Sequence, residues 1–456
     1  MSYDYDLISI GSGSAGRRVA VALKSAGWNT AIVEKDVEHH FGGTCICSGC
    51  IPTKALVEKS LHTKDFSAIK EHKTRIVERI RGGTLRHVEE RVEADVIRGF
   101  ATFVDEHTLD VNGKQYTAEI IVIATGSQSA IPPIKGLDQV DYMTSREFLE
   151  LEEVPKRIII IGGGRIGLEF GTLYNRLGAD VKVFEGLPHL LPGEDEEVSD
   201  SIAEYLEEQG MHIYRGRFVD EVKQHKTDGQ TEFELILTDG PNKGSYYGDV
   251  LLVATGRVPN TAELGLETTG VELNRHAVVV NDYLQSSVSH IFAIGDVIGN
   301  PMFTNWASYQ SGVLLRNLKK SKEYDEDWEK LTMPNIPRIC FIEPELGATG
   351  LTEKQAIEKY GEDQVVTYKF YNKWLGKSMI VDDWDGYLKA VGIKGSNEII
   401  GASLWGKRAG SLVQMIVLAM DNGLGWKELA SGVYGHPILA EGIYSLAANM
   451  KGRTSV

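Results

Sequence analysis

The sequence predicts an α/β protein in which two dinucleotide-binding folds stand in tandem ahead of a smaller α+β domain. Three observations carry this. "DLISIGSGSAGRRVAVAL" places an apolar strand before Gly11, Gly13 and Gly16 and a helix of apolar period after them, and "RIIIIGGGRIGLEFGTLY" repeats the unit around Gly162, Gly164 and Gly167. In each copy a second strand, "NTAIVE" or "ADVKVFE", ends on an acid 23 residues beyond the first glycine: Glu34 in one, Glu185 in the other. From about Pro334 the pattern changes to "RICFIEPELGATGLTEKQAIEKYG", then to hairpin-like strands in "GYLKAVGIKGSNEIIGASLWG", then to apolar helices.

The glycines have a physical purpose. They let the backbone approach a pyrophosphate at a helix N-terminus, while the acid accepts hydrogen bonds from the adenosine ribose hydroxyls. Each copy is followed by a matching strand and turn, "EIIVIATGS" with Thr125 and Gly126, and "DVLLVATGRVPN" with Thr255 and Gly256. A further buried strand, "SHIFAIGDVIG", ends in Gly295 and Asp296, a short acid placed where a loop meets a ligand hydroxyl. The stretches "SAIPPIKGL" and "LEEVPKR" read as crossings between domains. The expected organisation is a first fold over 1–150 completed by 276–333, a second over 151–275, and a C-terminal domain over 334–456.

Composition narrows the function classes. A chain of 456 residues with 42% hydrophobic content and Gly 49 has room for several domains with cores of their own. Its net charge of −16 repels nucleic acid and anionic membranes, so neither is expected as a partner. No apolar run reaches the ~18 residues of a membrane span, and the N-terminus enters a strand at once without a basic leader. Four cysteines, three of them crowded into "GGTCICSGCIPTK", do not form a secreted disulfide framework, so a reducing cytoplasm is expected. Taken alone, that cysteine spacing permits a metal knuckle, a structural disulfide or a redox centre.

The order of motifs resolves the choice. G-x-G-x-x-G with Glu34, G-G-T-C-x4-C-x-P-T-K at 42–54, G-G-G-x-I-G-L-E at 162–169, A-T-G-R-x-P-N at 254–260, Gly295–Asp296 and H-P-x3-E at 436–441 run through the whole chain. In this order it resembles the class I flavoprotein disulfide reductases, the family of dihydrolipoamide dehydrogenase, glutathione reductase and mercuric reductase. The resemblance implies FAD on the first glycine motif, NADH or NADPH on the second, a C-terminal dimerisation domain, a homodimer, and a small disulfide or lipoyl substrate. The cofactor-binding residues it implies are Gly11, Gly13, Gly16, Glu34, Gly43, Thr44, Lys54, Thr125, Gly126, Gly162, Gly164, Gly167, Glu185, Gly256, Gly295 and Asp296.

By the same resemblance Cys50 is the thiol beside the flavin and Cys45 the interchange thiol that attacks substrate. Lys54 pairs with Glu169 near the flavin, and His436, oriented by Glu441, acts on Cys45 of the other subunit. In a regular helix residues five apart are separated by ~7.5 Å of rise, whereas a disulfide needs Cα atoms within ~7 Å. The helix start must therefore be distorted, and Gly49 supplies the freedom. Pro437 suits a first helical turn, which places His436 just before a helix. No resident metal is expected. Cys47 stands where the family usually carries Asn and is read as filling space, with an alternative disulfide or metal-binding arm as the competing possibility. Cys340, in the apolar run "RICFI", is read as a small buried hydrophobe.

Glu185 favours NADH, since a carboxylate suits a free 2′-hydroxyl and repels a 2′-phosphate, and "GLPHLLPGEDEE" after it holds no Lys or Arg. Arg165, at the family's usual tyrosine position, could reach a pyrophosphate and leaves NADPH use weakened, not eliminated. "FAIGDVIGNPMF" and Glu185 lean toward a dihydrolipoamide dehydrogenase-like enzyme, while Thr304, Asn305 and Trp306 depart from that group. The tail "MKGRTSV" lacks the paired cysteines of a mercuric reductase. A small-thiol disulfide, a metal ion, or a sensor that oxidises its thiols without turnover are the alternatives.

Overall fold

The computed structural model describes residues 3–227 and 229–454. The chain forms two compact units: one from the chain up to Pro132 with Thr144–Glu153 and Thr255–Thr332, the other from Pro133–Met143, Val154–Ala254 and the chain from Met333 on. Among the described residues no helix is long and apolar enough to cross a membrane.

The first unit is built, among these residues, on a seven-stranded sheet. Parallel strands Asp95–Arg98, Thr30–Glu34, Tyr5–Ile10, Lys114–Ile123 and Ile291–Ala293 lie side by side in that order, the 3-2-1 arrangement of a dinucleotide fold with two more strands beyond. Thr108–Val111 and Ala101–Phe103 continue antiparallel from the first half of Lys114–Ile123. Alternation fixes which side chain goes to which face. Leu7, Ile32, Ile120, Val122 and Phe292 pack under helices Ser14–Lys24 and Thr304–Lys320, while Ile8, Val33, Ile121, Ile123 and Ile291 meet Phe103, Leu109, Leu264 and Leu266 on the other side. Each such fully buried side chain contributes ~1.5–3 kcal/mol, against ~0–1 kcal/mol for an exposed ion pair, so these two layers hold the unit.

The second unit repeats the scheme with strands His212–Arg215, Asp180–Glu185, Arg157–Ile161 and Val250–Val253, all parallel. A meander of Glu221–Thr227, Gln230–Leu237 and Gly244–Gly248 closes one face around Ile159, Ile161, Phe184, Leu235 and Leu251. The C-terminal part is an antiparallel sheet of Arg338–Cys340, Leu346–Gly350, Gly401–Trp405, Tyr387–Ile393 and Val365–Tyr371, covered by helices Ala409–Asp421 and Glu441–Thr454 through Val413, Ile416, Ile443, Leu446 and Met450. Lys389 is buried in this unit and meets Asp195 at 2.8 Å, Glu197 at 3.0 Å and Glu353 at 2.6 Å. Burial works to lower its pKa, but the three carboxylates outweigh it and hold the ammonium charged. Asp195 alone of the three is as buried as Lys389, and removing it costs ~3–5 kcal/mol.

Candidate active site

Both glycine loops take the shape their sequence calls for. Gly11 and Gly162 have φ of +107° and +113°, in the left-handed region where glycine alone is unstrained. A Cβ on Gly16 would lie 2.3 Å from Ser9 Oγ, and one on Gly167 would lie 2.1 Å from Gly162 O, so these glycines seat each helix on its strand. Gly13 and Gly164 differ: a Cβ on either would meet nothing within 4 Å. They open onto the first turns of Ser14–Lys24 and Arg165–Arg176, and neither helix has a side-chain cap. Backbone N–H groups and the positive helix end are therefore presented at both loops, which fits two pyrophosphates.

The two acids sit in equivalent places. Glu34 accepts the Ser12 hydroxyl at 2.6 Å, the Ser12 N–H at 3.1 Å and the Asp36 N–H at 3.2 Å; Glu185 accepts N–H groups of Gly163 and Leu187, each at 2.8 Å. Each carboxylate is buried, fixed by its own glycine loop, and ready to accept a ribose hydroxyl. Beside Glu34 a cavity of about 500 Å³, lined by Lys35, Asp36, His40, Arg98, Gly99, Phe100, Asn112 and Arg146, has room for an adenine. Thr125 donates to Asn260 O at 2.6 Å, and the Asn260 N–H donates to Gly126 O at 2.9 Å. Gly256 O accepts the Ala130 N–H at 2.9 Å, and the Gly295 N–H donates to Gln310 Oε1 at 2.6 Å. Asp296, expected to meet a ligand hydroxyl, accepts the Ser127 hydroxyl at 2.6 Å, and Arg257 donates to the same Ser127 side chain at 2.7 Å.

The cysteine segment is broken where the spacing argument requires. Gly43–Cys47 and Cys50–Ser60 are separate helices, with Ser48 and Gly49 between them. A Cβ on Gly49 would lie 2.9 Å from Thr44 O, so only glycine lets the second helix fold this closely onto the first. Gly43 has φ +74°, and its Cβ would lie 2.8 Å from Gly13 Cα. The thiol segment is thus packed directly on the first glycine loop. The side chains of Cys45 and Cys50 lie within hydrogen-bond reach of each other. Thr304, first residue of its helix, has its hydroxyl 3.6 Å from Cys50 Sγ and also hydrogen-bonds Cys45.

Charge around the pair is positive. The bond to Cys50 and then burial push the Cys45 thiol well up, while the Thr304 hydroxyl and the Lys54 charge act against them. Burial lowers the pKa of Arg17 and of Arg257; attraction to Cys45 opposes it at Arg17, and attraction to Asp296 and then to Cys50 opposes it at Arg257. Cys47 lies in different surroundings. Its thiol donates to Phe41 O at 3.4 Å, and burial raises it to about 11, with Arg81 pulling the other way. Cys340 is fully buried, as read from "RICFI".

In the second unit Arg165 donates to Glu194, whose side chain is 1% exposed and also takes Arg338 in a fork at 3.0 Å and 3.0 Å. Glu169 is buried in the second turn of helix Arg165–Arg176 and accepts the Phe341 N–H at 3.0 Å. Three neighbours of Glu185 were not foreseeable from its own segment of sequence. Strand register sets Arg215 opposite it, the Arg217 N–H reaches its carbonyl, and Phe218 lies 70% exposed with its ring over Gly186, where a Cβ would meet ring carbons at 2.3 Å. Both arginines are occupied, Arg215 by Asp200 and Arg217 by Asp220 and Asp239.

His436 is exposed, and its Nδ1 is 2.9 Å from Glu441 Oε1, while the other oxygen of Glu441 accepts the Ile438 N–H at 2.9 Å. The bond to His436, then that N–H, hold the carboxyl of Glu441 below its usual range. One expectation needs correction here: the helix begins at Glu441, and Pro437 lies in turns ahead of it. Successive short-range bonds from Glu441, Gly442 and Ile443 to the carbonyls three residues back form a tighter entry than an α-helix allows. A histidine-rich group unforeseen in the sequence, Glu106, His107 and His290, brings its ligand atoms within 4.8 Å of one another. The two rings stack 3.8 Å apart at 7°, and in-plane lone pairs of parallel rings do not converge on one ion.

Residues 5–311 match the pyridine nucleotide-disulphide oxidoreductase family and residues 336–447 its dimerisation domain, and the chain belongs to this family. It is an FAD- and pyridine nucleotide-dependent disulfide oxidoreductase. A mercuric reductase of Staphylococcus aureus is 33% identical, aligned over 96% of this chain and 81% of that protein. A dihydrolipoyl dehydrogenase of Synechocystis is 35% identical over 96% and 97%. The probable pyridine nucleotide-disulfide oxidoreductase RclA of Escherichia coli is 32% identical over 98% and 99%. A solved structure described as the HOCl-induced flavoprotein disulfide reductase RclA from Escherichia coli superposes with a TM-score of 0.89 at 31% identity, covering 97% of this chain and 99% of that one, and a Cu(II) complex of it matches equally.

Proposed function

We propose that this chain is a homodimeric, cytoplasmic, NADH-dependent reductase that passes two electrons through Cys45 and Cys50 to a disulfide, closest in chemistry to a lipoyl or other small disulfide. The observation that carries this is the hydrogen-bonded Cys45–Cys50 pair at a broken helix start packed on the Gly13 loop. FAD, when bound, supplies the two-electron relay between the nicotinamide and the cysteine pair. The chain's own residues do the rest. Gly11, Gly13, Gly16 and Glu34 hold the dinucleotide part of FAD, with Gly43, Thr44, Lys54, Thr125, Gly126, Gly295 and Asp296 along its length, and Gly162, Gly164, Gly167, Glu185 and Gly256 receive the nicotinamide nucleotide. Glu169 lines the second motif. Cys45 attacks the substrate disulfide; His436 of a second copy, oriented by Glu441, gives a proton to the departing sulfur; Cys50 then displaces the second sulfur and restores the Cys45–Cys50 bond.

A second reading, reduction of a soft metal ion as substrate, is favoured by the two adjacent thiols, which are soft donors. It has Cys45 and Cys50 to work with, while Cys47 is turned to Phe41 O. Steady-state NADH oxidation with lipoamide, glutathione disulfide, Hg(II) and Cu(II) separates the readings. Turnover with a disulfide and none with the ions is the expected result.

NADH is expected to exceed NADPH in kcat/KM at one ionic strength. The Glu185 carboxylate repels a 2′-phosphate, and the pairing of Arg165, Arg215 and Arg217 with acids supports the same preference. Equal values or a preference for NADPH would count against Glu185. Phe218, exposed beside Glu185, offers a face on which the adenine of NADH can stack. Phe218→Ala is expected to raise the KM for NADH roughly tenfold at unchanged kcat, since base–aromatic stacking is worth ~1–3 kcal/mol. An unchanged KM would remove Phe218 from the site.

A further inference from the structure

We propose that Arg17 and Arg18 bind carboxylate on the substrate, so that the disulfide this chain reduces is a small acidic one, with a carboxylate a short carbon stem from each sulfur. The inference rests on reading Cys45 as the thiol that attacks substrate. Both arginines stand near the start of Ser14–Lys24, the helix that opens on Gly13, and Gly43 of the thiol segment packs on that same glycine. Arg17 is half-buried: burial disfavours its charge, and attraction to the Cys45 sulfur opposes that. Its Nε is buried with no hydrogen-bond partner among the described residues. Arg18 is exposed and donates to Ser308 O at 3.0 Å, one helical turn beyond Thr304, whose hydroxyl lies 3.6 Å from Cys50 Sγ. One guanidinium thus faces the sulfur that receives substrate, and the other stands about a turn further out.

What sets these two apart is the lack of an acid. The chain has 64 Asp and Glu against 48 Lys and Arg, and Arg157, Arg165, Arg215, Arg217 and Arg338 are each held by a carboxylate. Arg257, also near the cysteines, is faced by Asp296 and donates to Ser127. Among the described residues no carboxylate pairs with Arg17 or Arg18. A half-buried guanidinium without a counter-charge carries a desolvation cost that a bound anion offsets, and its planar donors suit a carboxylate in a two-point bond. The same charges repel a disulfide that ends in ammonium groups. The arginines exchange no electrons. Cys45 thiolate bonds to one substrate sulfur as the substrate S–S bond breaks and the departing sulfur takes a proton; Cys50 thiolate then bonds to Cys45 and releases the second sulfur as a thiolate. The dithiol is oxidised by two electrons and the disulfide is reduced by two.

The test is steady-state kcat/KM of the FAD-loaded protein, with NADH, on three disulfides that share a two-carbon stem: dithiodipropionate ends in carboxylates, hydroxyethyl disulfide in hydroxyls and cystamine in ammonium groups. The acidic disulfide is expected to lead and cystamine to trail. Arg17→Gln is expected to lower kcat/KM for dithiodipropionate roughly tenfold or more, chiefly through KM, and to leave hydroxyethyl disulfide within a few-fold, as loss of a charge-assisted bond to substrate requires. Arg18→Gln is expected to give a smaller loss with the same dependence on substrate charge. Equal loss on all three disulfides places Arg17 on the thiol instead of the substrate and overturns this inference alone, as does loss of bound FAD from the Arg17→Gln protein or an unaltered protein that treats the three alike. No turnover of these disulfides or of lipoamide by the unaltered protein overturns the disulfide reading and the inference with it.

Discussion

Replacing His436 by glutamine is expected to slow disulfide turnover by ~10²-fold or more while leaving the NADH half-reaction largely intact. The imidazole matters only where a sulfur gains or loses a proton. With Nδ1 held 2.9 Å from Glu441, its other nitrogen is the one available for that transfer, and Glu441→Gln is expected to give a milder form of the same defect. His436 is exposed on a chain that carries the family's dimerisation domain, which accords with a role on a second copy. Mixing inactive Cys45→Ser and His436→Gln chains under subunit exchange makes the point directly. Heterodimers built from them hold one complete site if the base acts across the dimer and none if it acts within a chain. Recovery of activity is the expected outcome, and demonstrated heterodimers without activity would refute the shared site.

The largest loss is expected from the cysteines themselves. Cys45→Ser and Cys50→Ser should each reduce disulfide turnover by ~10³-fold or more, because each removes an atom that forms a bond in the reaction. The two differ spectroscopically: Cys50→Ser is expected to lose the long-wavelength absorbance of the NADH-reduced protein, whereas Cys45→Ser keeps or strengthens it. Cys47→Ser is expected to lie within a few-fold of the unaltered protein. Its thiol is bonded to Phe41 O and raised by burial, so it contributes little thiolate at neutral pH. A loss with Cys47→Ser as large as with Cys45→Ser would mean that the third thiol belongs to the relay.

Local patterns were legible in the sequence, and contacts between distant segments were not. The strand–glycine–helix units, the acids that close them and the break at Gly49 follow from short-range spacing, and the structure has them at Gly11, Gly162, Glu34, Glu185 and Ser48–Gly49. His436 and Glu441 meet as H-P-x3-E suggested, yet the helix starts at Glu441, later than Pro437 implies, and is entered through bonds from Glu441, Gly442 and Ile443 to carbonyls three residues back. Thr304 stands 254 positions from Cys50, and no periodicity links the two. Arg215 comes to Glu185 through the register of a parallel strand pair, and Phe218, just past that strand, comes to lie over Gly186; register is set by packing that a single strand does not reveal. Arg165 looked available for a phosphate in the sequence. In the structure, Glu194 holds it, an acid 29 residues on whose burial the sequence did not announce.

The most direct test of the account is to ask which sulfurs NADH reduces. The oxidised, FAD-loaded protein is treated anaerobically with one equivalent of NADH, quenched in acid, denatured, labelled with an alkylating agent and mapped by mass spectrometry. Two thiols are expected to appear together, on Cys45 and Cys50, with the labelling of Cys47 and Cys340 unchanged. NADH consumption with new thiols on Cys47, or with no new thiols at all, would contradict it.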